Sequence, residues 1–109
     1  MAKSPARFAH HSEADLANLF DFFHVDWHYE PQSFPIAWDQ RGDVVESFTP
    51  DFYLPAFDIY VEVTTAAPRF QTRKNRKLRM FRASYPHVRI KFFNKRDVEA
   101  VLRRVRTVG

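Results

Sequence analysis

Asp51 and Glu62 stand eleven residues apart, the first in Phe48-Thr49-Pro50-Asp51-Phe52-Tyr53-Leu54-Pro55 and the second in Ile59-Tyr60-Val61-Glu62-Val63-Thr64. If the intervening chain folds as a tight hairpin about Ala56 and Phe57, Leu54 faces Ile59, Phe52 faces Val61, and Asp51 faces Glu62. Directly opposed residues on an antiparallel pair place their Cβ atoms about 5 Å apart. Two carboxylates at that distance repel unless a proton or a cation lies between them, and all-oxygen donors of this kind suit Mg²⁺ or Mn²⁺. The spacing therefore predicts a divalent-metal site.

The elements that must position this pair are readable from hydrophobic periodicity. Residues 1–11 are expected to form an N-terminal arm, and residues 12–109 a single domain. Ser12 followed by Asp15 has the form of a capping box, so a helix of about a dozen residues is predicted from there. Leu16, Leu19, Phe20 and Phe23 make its apolar stripe, and Glu13 lies on the edge of that stripe, pointing roughly inward. From Ser33 the pattern changes to alternation through Phe34, Ile36 and Trp38. A Gln40-Arg41-Gly42-Asp43 turn and a second strand near residues 44–48 follow, and the hairpin that carries Asp51 and Glu62 is expected to continue the same sheet. Residues 64–68 are predicted as a loop, 69–85 as a helix closed by Pro86, and 88–93 as a strand. Asp97 is expected to cap a final helix that buries Val98, Val101, Leu102 and Val105. Two strands flanking a helix favour a parallel crossover, giving an α/β fold with a mixed sheet.

Size and composition agree with one small aromatic-cored domain: 109 residues, 45% hydrophobic, 12 Phe and 2 Gly. The absence of cysteine excludes disulfides, thiolate zinc sites and cysteine nucleophiles together. With no long apolar run and no signal-like apolar stretch at the start, the expectation is a cytoplasmic protein that does not enter the membrane. The net charge of +4 hides an asymmetry. Residues 1–62 carry eleven acids against three bases, whereas residues 69–96 carry eleven Lys or Arg and no acid. Such a field has two readings, a solvated basic helix or a surface for a phosphate backbone. The carboxylate pair beside it favours the second, with nucleic acid as partner and Arg69, Arg73, Arg76, Lys77 and Arg79 as the binding residues. On the helix, 100° per residue brings Lys74 to the middle of the stripe formed by Phe70, Leu78, Phe81 and Tyr85, with Lys77 beside it. A lysine there must snorkel outward or meet an acid such as Asp51 or Glu62.

The element order and the Pro50-Asp51…Glu62-Val63-Thr64 pattern resemble the PD-(D/E)xK nuclease superfamily, restriction-endonuclease-like proteins with an αβββαβ core, over about residues 12–94. The chain looks most similar to compact members with an acid on the first helix: Holliday-junction resolvases, transposon end-cleaving nucleases and very-short-patch repair nucleases. The resemblance implies that Asp51, Glu62 and the carbonyl of Val63 ligate one or two Mg²⁺ ions, that Glu13 is the first-helix carboxylate, and that the domain adds a C-terminal helix to the core. The departure is Thr64, which stands where the family carries lysine; threonine supplies no positive charge and no strong base near neutral pH. Some members carry that lysine on the following helix, which makes Lys74 the candidate for the catalytic role and Lys77 the second.

Each feature also has a plainer reading. Pro-Asp is a common turn entry, Glu-Val-Thr a common strand, and an acid in a first helical turn complements the helix dipole without any chemistry. His24 and His28 are four apart but lack a companion ligand, and Trp27, Tyr29 and Trp38 serve a core as readily as a base stack. The expectation carried forward is a Mg²⁺-dependent DNA endonuclease, selective for junction or branched DNA or directed by a protein partner, and dimeric if it resolves junctions. The alternatives are a DNA-binding module that keeps the nuclease fold without turnover, and a nuclease subunit of a transposition, defence or repair complex.

Overall fold

A computed structural model describes Phe8 and residues 11–64 and 68–108, with backbone only for residues 68–74 and 105–108. The order is α1 (His11–Phe22), β1 (His28–Tyr29), β2 (Phe34–Trp38), β3 (Val44–Phe48), β4 (Phe52–Leu54), β5 (Ile59–Thr64), α2 (Pro68–Ser84), β6 (Ile90–Asn94) and α3 (Lys95–Val108). Four strands form a mixed sheet in the order β1-β4-β5-β6, while β2 and β3 form a separate two-stranded sheet. The predicted crossover is present: β5 and β6 pair in parallel on either side of α2, with Glu62 beside Phe92 and Thr64 beside Asn94. The predicted hairpin register is also present, with Phe52 opposite Val61 and Leu54 opposite Ile59. No described helix is long and apolar enough to cross a membrane.

The expectation of one continuous sheet is corrected. The β2–β3 hairpin does not join the β4–β5 hairpin, because the connection runs through Pro50, which is buried and has no N–H to offer a ladder. Register shifts between Pro35, Ala37 and Trp38 twist the small sheet further, and a 2.6 Å hydroxyl contact between Ser33 and Thr49 closes its base. The sequence-predicted turn at its tip is held by Asp39, whose carboxylate accepts from the N–H groups of Arg41 and Asp43. Gly42 there adopts φ +87°, a conformation that costs glycine little.

The central sheet is covered on both faces. Strand alternation sends Val61 and Val63 to one side, where they pack with Leu16, Ala17 and Leu19 of α1, Trp27, Phe52, Leu54, and Val101 and Leu102 of α3. Tyr60 and Ile90 face the other side, toward Leu78, Phe81 and Tyr85 of α2 and toward Phe34, Ile36 and Phe48 of the small sheet. Phe81 is the centre of this second cluster, with no exposed surface and rings of Phe34, Phe48 and Tyr85 within 5.5 Å.

Several boundaries move relative to expectation: β5 runs on to Thr64, α2 spans Pro68–Ser84 and β6 spans Ile90–Asn94. Helix α1 includes His11 and Ser12, so Ser12 sits inside the first turn rather than at the cap. The arm is tied at Phe8, whose ring packs on Tyr29 at 4.8 Å and on Trp27 and Phe52 at about 6 Å; the rest of residues 1–10 and residues 65–67 lie outside the described residues. At α3, Asp97 is not the cap but its partner. Asn94 accepts from the Asp97 N–H at 2.8 Å while Asp97 accepts from the Asn94 N–H at 3.1 Å, the reciprocal capping box.

The two-residue strand β1 was too short to show alternation. It is set by the end of α1, where His24 takes φ 57° and the Val25 and His24 N–H groups donate back to Phe20 and Asp21, the Schellman arrangement.

Candidate metal and phosphate site

The β4–β5 hairpin fixes Asp51 and Glu62 on one face of the central sheet. Val61 and Val63 belong to the cluster under α1 and α3, so Glu62 between them projects toward α2, and Thr64 follows it on the same side. Asp51, one residue before Phe52, takes the matching position on the neighbouring strand line. Both carboxylates are buried, at 7% and 3% exposure.

The backbone of the hairpin links the two buried carboxylates. The Asp51 N–H donates to Glu62 Oε1 at 3.1 Å, and the Val63 N–H donates to Asp51 Oδ2 at 2.7 Å. Each acid thus accepts from the strand that carries the other. Hydrogen bonds from backbone amides favour the ionised form and offset part of the desolvation and of the mutual repulsion. The Asp51 carbonyl accepts in turn from the Glu30 N–H at 2.7 Å, so the chain entering the site is pinned from both sides.

Glu13 is buried at 3% exposure, as the helical stripe predicted, and Tyr29 donates to its Oε1 at 2.6 Å. It comes from α1, on the face of the sheet opposite to the one Glu62 enters. Among the described residues no group of three His, Asp or Glu side chains is arranged to hold a metal ion. Asp51 and Glu62 are brought together across the hairpin, and Glu13 accepts a hydrogen bond from Tyr29. The Asp51–Glu62 pair still fits Mg²⁺ as a donor set. It is oxygen-only and buried, and Mg²⁺ is commonly held by one or two carboxylates with waters and substrate phosphate completing its shell. Val63, whose N–H serves Asp51, adjoins the pair through its backbone.

The basic residues of α2 separate into distinct roles. Arg76 pairs with Glu46 of β3 at 2.7 Å, and Lys77 donates to the Ser47 carbonyl at 3.2 Å, so both tie the helix to the small sheet. Arg79 is exposed and lines a cleft of about 450 Å³ between α2 and the central sheet, together with Thr64, Asn75, Leu78, Arg82 and Phe92. The side chains of Arg69, Gln71, Arg73 and Lys74 lie outside the described residues, and with them the lysine expected to replace Thr64. The Thr64 hydroxyl reaches only a long 3.5 Å contact to the Phe93 carbonyl.

Sequence reasoning missed Asn75 and Phe92. Asn75 carried no charge signal, and Phe92 joins the site only through the parallel register that sets it beside Glu62. Tyr53 and Tyr60 lie next to the pair on the same face, their rings 4.6 Å apart. A hydrogen bond to Asp58 raises the Tyr53 phenol above the usual range, with desolvation adding to it, and burial raises that of Tyr60, with Asp58 adding to it. No family model matches the chain, and no curated protein or solved structure matches it either.

Proposed function

We propose that this chain is a Mg²⁺-dependent endonuclease that hydrolyses DNA phosphodiesters, built on a restriction-endonuclease-like core. The observation that carries the reading is the buried Asp51–Glu62 pair, cross-bonded through backbone amides at the end of a hairpin. A protein gains little from burying two adjacent carboxylates for stability alone, since each pays desolvation and repels the other. When bound there, Mg²⁺ would activate a water and stabilise the charge developing on phosphorus. Asp51 and Glu62 would hold the ion, with the Val63 carbonyl as a further oxygen donor, and their bonds to the hairpin backbone fix their orientation. Glu13 would act through its contact with Tyr29 and the packing beneath the sheet. Lys74 is proposed to supply the positive charge that Thr64 lacks, and Arg79 with its neighbours to hold the backbone.

The test is cleavage of labelled linear duplex, single strand, flap and four-way junction in Mg²⁺, Mn²⁺ or EDTA, with Asp51→Asn beside the wild type. Metal-dependent cutting that disappears in Asp51→Asn is the expected result. A second reading is favoured by Thr64, which supplies no positive charge: a DNA-binding module without turnover. It predicts no cutting by either protein and equal, salt-sensitive binding by both.

A further inference from the structure

Arg79 and Arg82 differ from Arg76 in one respect that matters for binding. Arg76 is paired with Glu46, but neither Arg79 nor Arg82 forms an ion pair with any described acidic residue. Both line the same cleft with Thr64, Asn75, Leu78 and Phe92, so among the described residues its lining contains two cations and no acid. The Arg82 guanidinium is placed over the Phe92 ring, 5.0 Å from its centroid, which fixes a flat cationic surface at the cleft wall.

The position of the cleft is set by strand register. Phe92 is the parallel partner of Glu62, one strand spacing away, and Thr64 lies two residues beyond Glu62 on the same face. The cleft therefore adjoins the Asp51–Glu62 pair. Its volume, about 450 Å³, falls in the range of small-ligand pockets, roughly 300–1,000 Å³, and is too small to admit a duplex.

We propose that this cleft is a subsite for one unpaired nucleotide of a nucleic-acid strand, with Arg79 and Arg82 on its phosphate and the base stacked against the Arg82–Phe92 pair. Paired guanidinium groups suit a phosphate, and an unpaired base stacks on an arginine plane or an aromatic ring where a paired one has no free face to offer. The Asn75 amide adds a donor and an acceptor at the cleft wall. The proposal rests on the nucleic-acid reading above but not on turnover. It makes an unpaired nucleotide beside the cutting position the feature by which substrate is chosen.

The experiment is fluorescence anisotropy of the full chain with a labelled oligothymidylate and a blunt duplex of the same length, in EDTA, across a salt series. Arg79→Gln and Arg82→Gln are each expected to weaken single-strand binding about tenfold and to reduce the salt slope by about 0.7, the loss of one phosphate contact. Arg104→Gln, an exposed cation on α3 away from the cleft, is the control and should change little. Arg82→Lys keeps the charge without the plane and should fall between the wild type and Arg82→Gln. Thermal melts establish that each variant is folded. Equal losses in Arg104→Gln, or none in the cleft variants, overturn the subsite; so does duplex binding as tight as single-strand binding. Inorganic phosphate competing as well as thymidine monophosphate would reduce the cleft to an anion site and overturn the nucleotide assignment. Cleft-dependent binding without any metal-dependent cleavage would leave the subsite standing and remove the nuclease. Cleavage with cleft-independent binding would do the reverse.

Discussion

The Asp51 carboxylate has a structural duty in the fold and, in the nuclease proposed above, a separable chemical one. Its Oδ2 accepts the buried Val63 N–H at 2.7 Å. Asp51→Ala leaves that donor unsatisfied and is expected to cost about 1–3 kcal/mol of stability, read from urea denaturation. Asp51→Asn keeps an acceptor in place and removes one of two neighbouring charges, so it should fold at least as stably while losing metal-dependent cleavage. If Asn and Ala destabilise equally, the backbone contact is not what holds the pair. The neighbouring phenols give a pH prediction. Tyr53 titrates above its ordinary range, first because Asp58 accepts its hydroxyl at 2.8 Å. A raised folded pKa favours the protonated form, so the stabilisation is complete below the ordinary tyrosine value and is lost as pH rises through the folded one. Asp58→Asn should bring the Tyr53 titration down toward normal in an ultraviolet pH titration. An unchanged curve would mean that Asp58 is not the cause.

At the scale of elements, the β4–β5 hairpin carries the site and its turn sets the register. Asp58 closes that turn at φ 50°, a conformation Asp and Asn tolerate and β-branched residues do not. Asp58→Val is expected to cost about 1–2 kcal/mol. Asp58→Asn should retain most of that stability, and equal denaturation midpoints for the two would count against the turn as the register device. Beneath α2, Phe81 joins the helix to the small sheet, and Phe81→Ala should cost about 3–5 kcal/mol. This hairpin was legible before any coordinates, because a two-residue period fixes which residues oppose one another once the turn is placed. The crossover was legible too, since a helix between two strands leaves little alternative to parallel pairing. The separation of β2–β3 was not, because alternation reports which face is buried and not which strand lies alongside. Nor was the cleft: Phe92 and Glu62 meet through a register spanning the whole of α2, with no local pattern to announce it. Glu13 was read correctly as buried, but its partner Tyr29 lies on β1, an element too short for periodicity to detect.

Over the whole molecule, eleven of the 13 acidic residues precede position 63, and 14 of the 17 basic residues follow it. The fold brings the two halves together along β5, β6 and α2, so the carboxylate pair stands beside the cationic cleft. A field of this kind draws a polyanion toward the acids that would otherwise repel it, and its effect must weaken with salt. Cutting both strands of a junction, however, needs two such sites in fixed relation, and one copy of this chain supplies one. A two-fold dimer is the simplest assembly that meets the requirement. Sedimentation on four-way junction DNA is therefore expected to show two protomers per junction, with paired incisions when both are wild type. A dimer mixed from wild-type and Asp51→Asn protomers should nick a single strand. One protomer per junction at every concentration would rule out the resolvase version and leave flap or single-strand cutting, which a lone site can perform.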